Sequence, residues 1–212
     1  MSDLSEAPSR GSARLHILDC AKRLFAERGY DGVSISDIAR ETGASKANIF
    51  HHFESKEGLY LAVIAEVVRR VPDHIDALSS EHDIVEAFQE LAAAELTEGA
   101  KDETGVRLIL REIISGDPRR SRVLAEDIFA DRFTRLVDLI RTHQDTGTFR
   151  KDVDPALAAH VLRSASVFFI LGRDVLRHMP GVDFADDPDR YAREAAALVL
   201  RGLVVRDSSE EK

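Results

Sequence analysis

With 212 residues, 44% of them hydrophobic and 32% charged, and with only six prolines, the chain reads as a helix-rich globular protein. It has room for one large domain, or for a small domain and a larger one. Cys20 is the only cysteine, so an intrachain disulfide and a cysteine-based metal site are excluded.

The opening MSDLSEAPSRGS carries acids and no apolar core, unlike a signal peptide. No apolar run approaches the roughly 20 residues of a bilayer span. A reducing cytoplasm and no membrane contact are the expectation. The net charge of −9 is unevenly spread: residues 1–70 hold ten Lys/Arg and ten Asp/Glu, leaving 19 basic and 28 acidic residues for the rest. Any nucleic-acid contact must therefore rest on individually placed cations and helix N-termini, because a broad basic face is missing.

In chain order, residues 1–11 are rich in Ser, Pro and acids and predict a disordered arm. A first helix over about 13–28 has Ile17, Ala21, Leu24 and Phe25 on one face and stops at Gly29. Cys20 lies beside that face and reads as a small buried hydrophobe. Tyr30 is expected to pack beneath the following corner.

The stretch 34–56 organises the chain. Ser34 is placed to cap a short helix, with Asp37 three residues on in a near capping box. Gly43 stands where the helix must end in a left-handed residue. Ser45 then caps a second short helix whose inner face is Ile49 and Phe53. The spacing of Ala39, Gly43 and Ile49 lets two helices cross closely at a steep angle, as in a helix-turn-helix or in an ordinary all-α corner.

Ser55 caps a fourth helix over 56–70 with a broad apolar stripe, and Pro72 stops or kinks it before a continuation over 73–78. Further helices are predicted over 83–97, 103–114, 120–143, 155–178 and 188–205, with a turn over 98–102. The last two are rich in small residues, which suits close helix packing and a four-helix bundle with a second copy. About nine helices and no strand pattern give an all-α fold, with no fixed-period repeat.

The ordered set Ile17, Ala21, Leu24, Phe25, Gly29-Tyr30, Ser34-Ile35, Asp37-Ile38-Ala39, Gly43, Ser45, Ile49-Phe50, His52-Phe53, Ser55-Lys56-Glu57 and Leu59 resembles the DNA-binding domain of the tetracycline-repressor (TetR) family of bacterial regulators. It covers the first quarter to third of the chain; the remainder resembles the family in size and helical pattern. The resemblance implies a helix-turn-helix domain over 12–56, an effector-binding and dimerisation domain over 57–206, and a tail over 207–212. It also implies homodimers, here through the helices 156–177 and 189–205, a double-stranded operator and a small-molecule effector.

On the second short helix, Lys46, Ala47, Asn48, Phe50 and His51 are expected to point outward. Lys46 suits guanine or a phosphate, Asn48 suits adenine, and Ala47 lets the backbone approach closely. Ser34, Ser45 and Lys56 lie at helix N-termini, where they can meet phosphates. Phe50 stands where the family usually has Tyr; it gives no hydrogen bond to phosphate but can still pack on the sugar–phosphate backbone.

In the second domain the effector candidates are Phe88, Arg107, Arg111, Phe129, Phe133, His160, Arg163 and Phe168, with Ser166 and Phe169 beside them. The plainer reading of each is core or salt-bridged surface. An arginine near an aromatic-lined cavity would suit an amphipathic acid. The adjacent His51 and His52 point about 100° apart on a helix and chelate one ion poorly, so no metal and no cofactor is predicted. No nucleophile, base and orienter converge in the sequence. The function expected is a ligand-responsive, dimeric repressor of a palindromic operator; a helical interaction adaptor and a small all-α enzyme are the alternatives.

Overall fold

A computed structural model describes residues 10–71, 75 and 83–205. Most of the predicted arm, the tail over 207–212 and the Pro72 kink with its continuation lie outside the described residues, Ile75 excepted. Among the described residues there are nine continuous helices and no β-strand, only an isolated antiparallel bridge between Phe149 and Val204. They are α1 (Arg10–Arg28), α2 (Ile35–Thr42), α3 (Lys46–Phe53), α4 (Lys56–Arg70), α5 (Ile84–Lys101), α6 (Glu103–Ser115), α7, α8 (Pro155–Leu176) and α9 (Pro188–Leu203). Helix α7 runs as an α-segment Pro118–Val123, a π-helical segment Leu124–Phe129 and a second α-segment Ala130–Asp145.

Most boundaries fall where the sequence placed them. Helix α1 starts at Arg10, earlier than predicted, because Gly11 and Ser12 occupy a first turn whose N–H groups have no helical partner anyway. Helix α5 runs through the predicted turn over 98–102 to Lys101. Gly99, within that expected turn, is a packing residue: a Cβ there would lie 3.0 Å from Ile170 Cδ1. The glycine thus lets α5 and α8 approach closely.

The chain divides into two compact units, Met1–Arg70 with Thr104–Leu124, and Val71–Glu103 with Ala125–Lys212. This differs from a boundary at 56/57: unit 1 keeps all of α4 and adds α6 and the start of α7. The regrouping changes the charge picture. Unit 1 carries 15 Lys/Arg and 12 Asp/Glu, a net +3, and unit 2 carries 14 and 26, a net −12.

Unit 1 is built on Ile17, Leu18, Ala21, Leu24 and Phe25 of α1, Ile38 of α2, Ile49 and Phe53 of α3, and Leu59, Tyr60, Val63 and Ile64 of α4, all buried. Ion pairs tie its edges: Arg70 of α4 meets Asp19 of α1 at 3.0 Å, and Arg23 of α1 meets Glu41 of α2 at 3.3 Å.

Unit 2 has its main core where α5, α7, α8 and α9 meet, through Phe88, Leu91, Leu136, Ile140, Ala159 and Leu200. A second cluster joins Leu96, Phe169 and Ala192, with Tyr191 stacked on Phe169 at 4.1 Å between ring centroids.

By length and composition, α8 is the one described helix able to cross a membrane, with a mean hydropathy of 1.4. The expectation that no run approached that length is corrected: Arg163 and Arg173 interrupt the run without lowering its mean enough. Both arginines are engaged inside unit 2, Arg163 with Glu95 at 3.3 Å and Arg173 Nε donating to the Ala185 carbonyl at 2.9 Å. Ala158, Ala159 and Phe169 on the same helix are buried. In this fold α8 is a packed element of unit 2.

Candidate functional site

The α2–α3 corner forms as its caps dictate. The capping box at Ser34 is complete: the Asp37 N–H donates to Ser34 Oγ at 3.2 Å, and the Ser34 N–H donates to Asp37 Oδ2 at 3.0 Å. The Ser34 hydroxyl itself donates to Asp37 Oδ2 at 2.6 Å. Helix α2 ends at Gly43 with φ of 69°, in the left-handed region. The Ser45 hydroxyl then accepts from the Asn48 N–H at 3.1 Å and starts α3. At the far end of α3, a Cβ on Gly58 would lie 2.3 Å from the Phe53 carbonyl oxygen. Only glycine permits the tight step into α4 there.

Hydrogen bonds from the Ser34 side chain, the Ser34 backbone and Arg40 hold the Asp37 carboxyl down to about 2. Because the folded value lies below the unfolded one of 3.8, the stabilisation is present above pH 4 and fades as pH falls through 2. The stability gap between wild type and Asp37→Ala should therefore be constant from pH 5 to 7 and close on acidification. A gap independent of pH down to 2 would assign the effect to helix propensity alone.

Of the residues expected on the outer face of α3, Lys46, Ala47, Phe50 and His51 are exposed. Asn48 is half-buried and differs from them. It lines a groove of about 410 Å³ together with Ser12, Ala13 and His16 of α1 and Thr42, Gly43 and Ala44 of the turn. Ser34 and Ser45 are exposed at their helix N-termini. The Lys56 ammonium lies 4.2 Å from the centre of the Tyr30 ring, a cation–π contact that holds it at the α3–α4 end of the corner.

Arg120, from the first turn of α7, lies 4.5 Å from the same Tyr30 ring and 5.8 Å from that of Tyr60. Its Nε donates to Glu112 Oε1 at 2.8 Å, and the Glu112 side chain is only 1% exposed. Burial, followed by the charge and hydrogen bond of Glu112, pushes the Tyr60 hydroxyl well above the usual phenol range. Arg111 Nη1 donates to the Ala26 and Glu27 carbonyls at 3.1 and 3.4 Å, near the C-terminal end of α1. The α6–α7 turn is thereby tied to the body of unit 1, by Arg120 against the Tyr30 and Tyr60 rings and by Arg111 on the α1 carbonyls.

The effector candidates separate. Arg107 and Arg111 belong to unit 1, and Arg111 is committed to α1. Phe88, Phe129, Phe133, His160, Arg163 and Phe168 belong to unit 2. Of these, only Phe88 and Arg163 line the unit's cleft, which is completed by Leu91, Ala92, Glu95, Leu136, Leu162 and Ser166. Phe133 packs against the core, His160 is exposed, and Phe168 is 76% exposed.

Sequence reasoning missed Glu95, although it lies seven residues after Phe88, on the apolar face of α5. Arg120 and Glu112 were missed as well. No local pattern announces a pair that joins α6 to α7.

The small residues of α8 and α9 are used inside unit 2: Ala158, Ala159, Ala192 and Ala196 are buried. The outer face of α8 presents Leu157, Val161, Phe168, Leu171 and Val175, all exposed, at intervals of four, seven, three and four residues. That spacing is a heptad-like seam.

A pair of short capped helices crossing behind an exposed second helix, with cations at its ends, defines a helix-turn-helix DNA-binding protein. The family model described as bacterial regulatory proteins, tetR family, matches residues 17–63. The HTH-type transcriptional repressor AcnR of Corynebacterium efficiens is 33% identical over 144 residues, 67% of this chain and 71% of that protein. The repressor KstR2 of Rhodococcus jostii is 28% identical over 215 residues, 93% of this chain and 94% of that one. A regulator from Saccharomonospora viridis, solved in complex with choline, superposes with a TM-score of 0.65 at 28% identity, covering 92% of this chain and all of the other. The chain belongs to the tetR family of bacterial regulatory proteins and is a DNA-binding transcriptional regulator.

Proposed function

We propose that the protein is a cytoplasmic repressor without catalytic activity. In this reading it binds a palindromic operator as a homodimer and leaves it when a small hydrophobic or amphipathic effector enters unit 2. The observation that carries this is the exposed outer face of α3, Lys46, Ala47, Phe50 and His51, standing free of the core on a capped helix. A net charge of +3 on unit 1 favours DNA there, and −12 on unit 2 keeps DNA from the rest of the molecule. Relatives named as repressors, and a structural neighbour crystallised with choline, support the repressor and effector parts.

Two copies would place their α3 helices in successive major grooves, roughly 34–36 Å apart. The exposed seam of α8, with Leu198 of α9 also exposed, supplies the apolar area for such a dimer. Effector binding then shifts the population between DNA-competent and incompetent dimers.

Gel shift with specific and random duplexes tests the contacts. Lys46→Ala and Asn48→Ala are expected to relax sequence preference, and Lys56→Ala to weaken binding to both duplexes by a similar factor. Equal losses on both duplexes from all three changes would refute this assignment. A dimer that shows no salt-dependent DNA binding would favour the adaptor.

A further inference from the structure

The inner face of α3 is filled by Ile49, fully buried, and Phe53, 6% exposed. Phe50 follows Ile49 directly, so helical geometry turns it about 100° from that residue, and it stays 44% exposed. It is the one large hydrophobic side chain of α2 and α3 left exposed. Among the described residues its ring has no aromatic or cationic partner. The neighbouring rings do: His51 and His52 lie 5.5 Å apart, His52 and Phe53 5.9 Å apart, and the Arg14 guanidinium sits over Phe53.

Ala47, also exposed, precedes Phe50 by three residues and so shares its side of the helix. The two form an apolar spot between Lys46 and His51 on the face that a helix-turn-helix presents to the major groove. Base edges there offer hydrogen-bonding atoms, and the one apolar substituent among them is the 5-methyl group of thymine. A phenyl ring pressed on a polar edge or a phosphate strips water and returns no hydrogen bond, which is costly. Pressed on a methyl group, the same ring gains by burial.

We infer that Phe50, with Ala47 beside it, is a specificity-determining residue that selects a thymine in each half-site by its 5-methyl group. Packing on the sugar–phosphate backbone, the expectation from sequence, would carry no base preference. The two roles therefore differ in a measurable way.

The inference rests on the reading of α3 as the base-reading helix, and the test separates the two. A duplex selected from a random pool by the full-length protein is resynthesised with deoxyuridine in place of thymine, one symmetric pair of positions at a time. Deoxyuridine keeps every hydrogen-bonding atom of thymine and lacks only the methyl group. Fluorescence anisotropy reads the affinity. At one position the exchange is expected to weaken binding about fourfold per half-site and about fifteenfold for both, the worth of one buried methyl each. Phe50→Ala should weaken binding to the thymine duplex by at least as much and make it nearly indifferent to deoxyuridine at that position. Phe50→Leu should keep part of the thymine preference. Helical circular dichroism should be unchanged in both variants, because this side chain lies outside the core.

An affinity indifferent to deoxyuridine at every position, with base preference otherwise intact, would overturn the methyl assignment and leave Phe50 on the backbone. A deoxyuridine effect that persists undiminished in Phe50→Ala would give the methyl group to another residue and overturn it as well. A wild-type protein that prefers no duplex would overturn base reading by α3 itself, and this inference with it.

Discussion

Arg120→Ala is expected to lower the stability of unit 1 by about 3 kcal/mol, at the low end of what breaking a buried ion pair costs. The loss falls at that low end because the Arg120 side chain keeps 12% exposure and Tyr60 still donates to Glu112. The loss has two parts. Glu112, 1% exposed, is left as a buried carboxylate without its cation, and the rings of Tyr30 and Tyr60 lose the guanidinium packed against them. Lys should rescue only part, because an ammonium cannot stack as a planar guanidinium does.

Replacing both partners, Glu112→Leu with Arg120→Leu, should recover most of the loss, since the penalty belongs to the stranded charge. Urea unfolding followed by tyrosine fluorescence suits the measurement. The chain has no tryptophan, and two of its three tyrosines, Tyr30 and Tyr60, lie in unit 1. A single substitution that costs under about 1 kcal/mol, the size of an exposed pair, would show that the α6–α7 turn does not brace the DNA-binding unit.

If the exposed face of α8 forms the proposed two-fold seam, Phe168→Glu should leave the protein monomeric and reduce operator affinity by about 10²–10⁴, the range gained when two linked sites bind together. Phe168 is 76% exposed at the middle of the α8 seam, so its replacement removes little packing within the chain. Helical circular dichroism and the melting of unit 1 should be unchanged. Two carboxylates brought near the two-fold axis repel each other and must be desolvated, and one charge per protomer is enough to disrupt an apolar seam. Sedimentation and gel shift on the same samples check both halves of the expectation. A variant that stays dimeric, or a monomer that keeps full operator affinity, would place the two-fold contact elsewhere.

What the sequence carried was the local code. Ser34, Asp37, Gly43 and Ser45 act through partners within four residues, so their caps and the left-handed turn are legible in the sequence. The inward faces of α1, α3 and α4 repeat at helical spacing and were legible for the same reason. Gly99 shows the limit: the residue that ends helices elsewhere here serves a close approach to Ile170, 71 residues away in the chain.

Asn48 shows another limit. Helical periodicity places it outward, yet α1 lies alongside and makes it the wall of a groove. The pairs Glu112–Arg120 and Glu95–Arg163 join different helices, and no spacing rule links them. For that reason Arg107 and Arg111 were grouped with an effector site when the fold assigns them to unit 1. The membership of α6 and of the start of α7 in unit 1 also makes an apparently neutral DNA-binding end net positive.

Selection of bound duplexes from a random pool by the full-length protein tests the central claim most directly. An inverted repeat whose half-site centres lie about one helical turn, or a multiple of it, apart should be enriched. Lys46→Ala should degrade the base preference within each half-site without changing the spacing. A pool that remains random after repeated rounds at moderate salt, or that converges on a single unrepeated site, would contradict that claim.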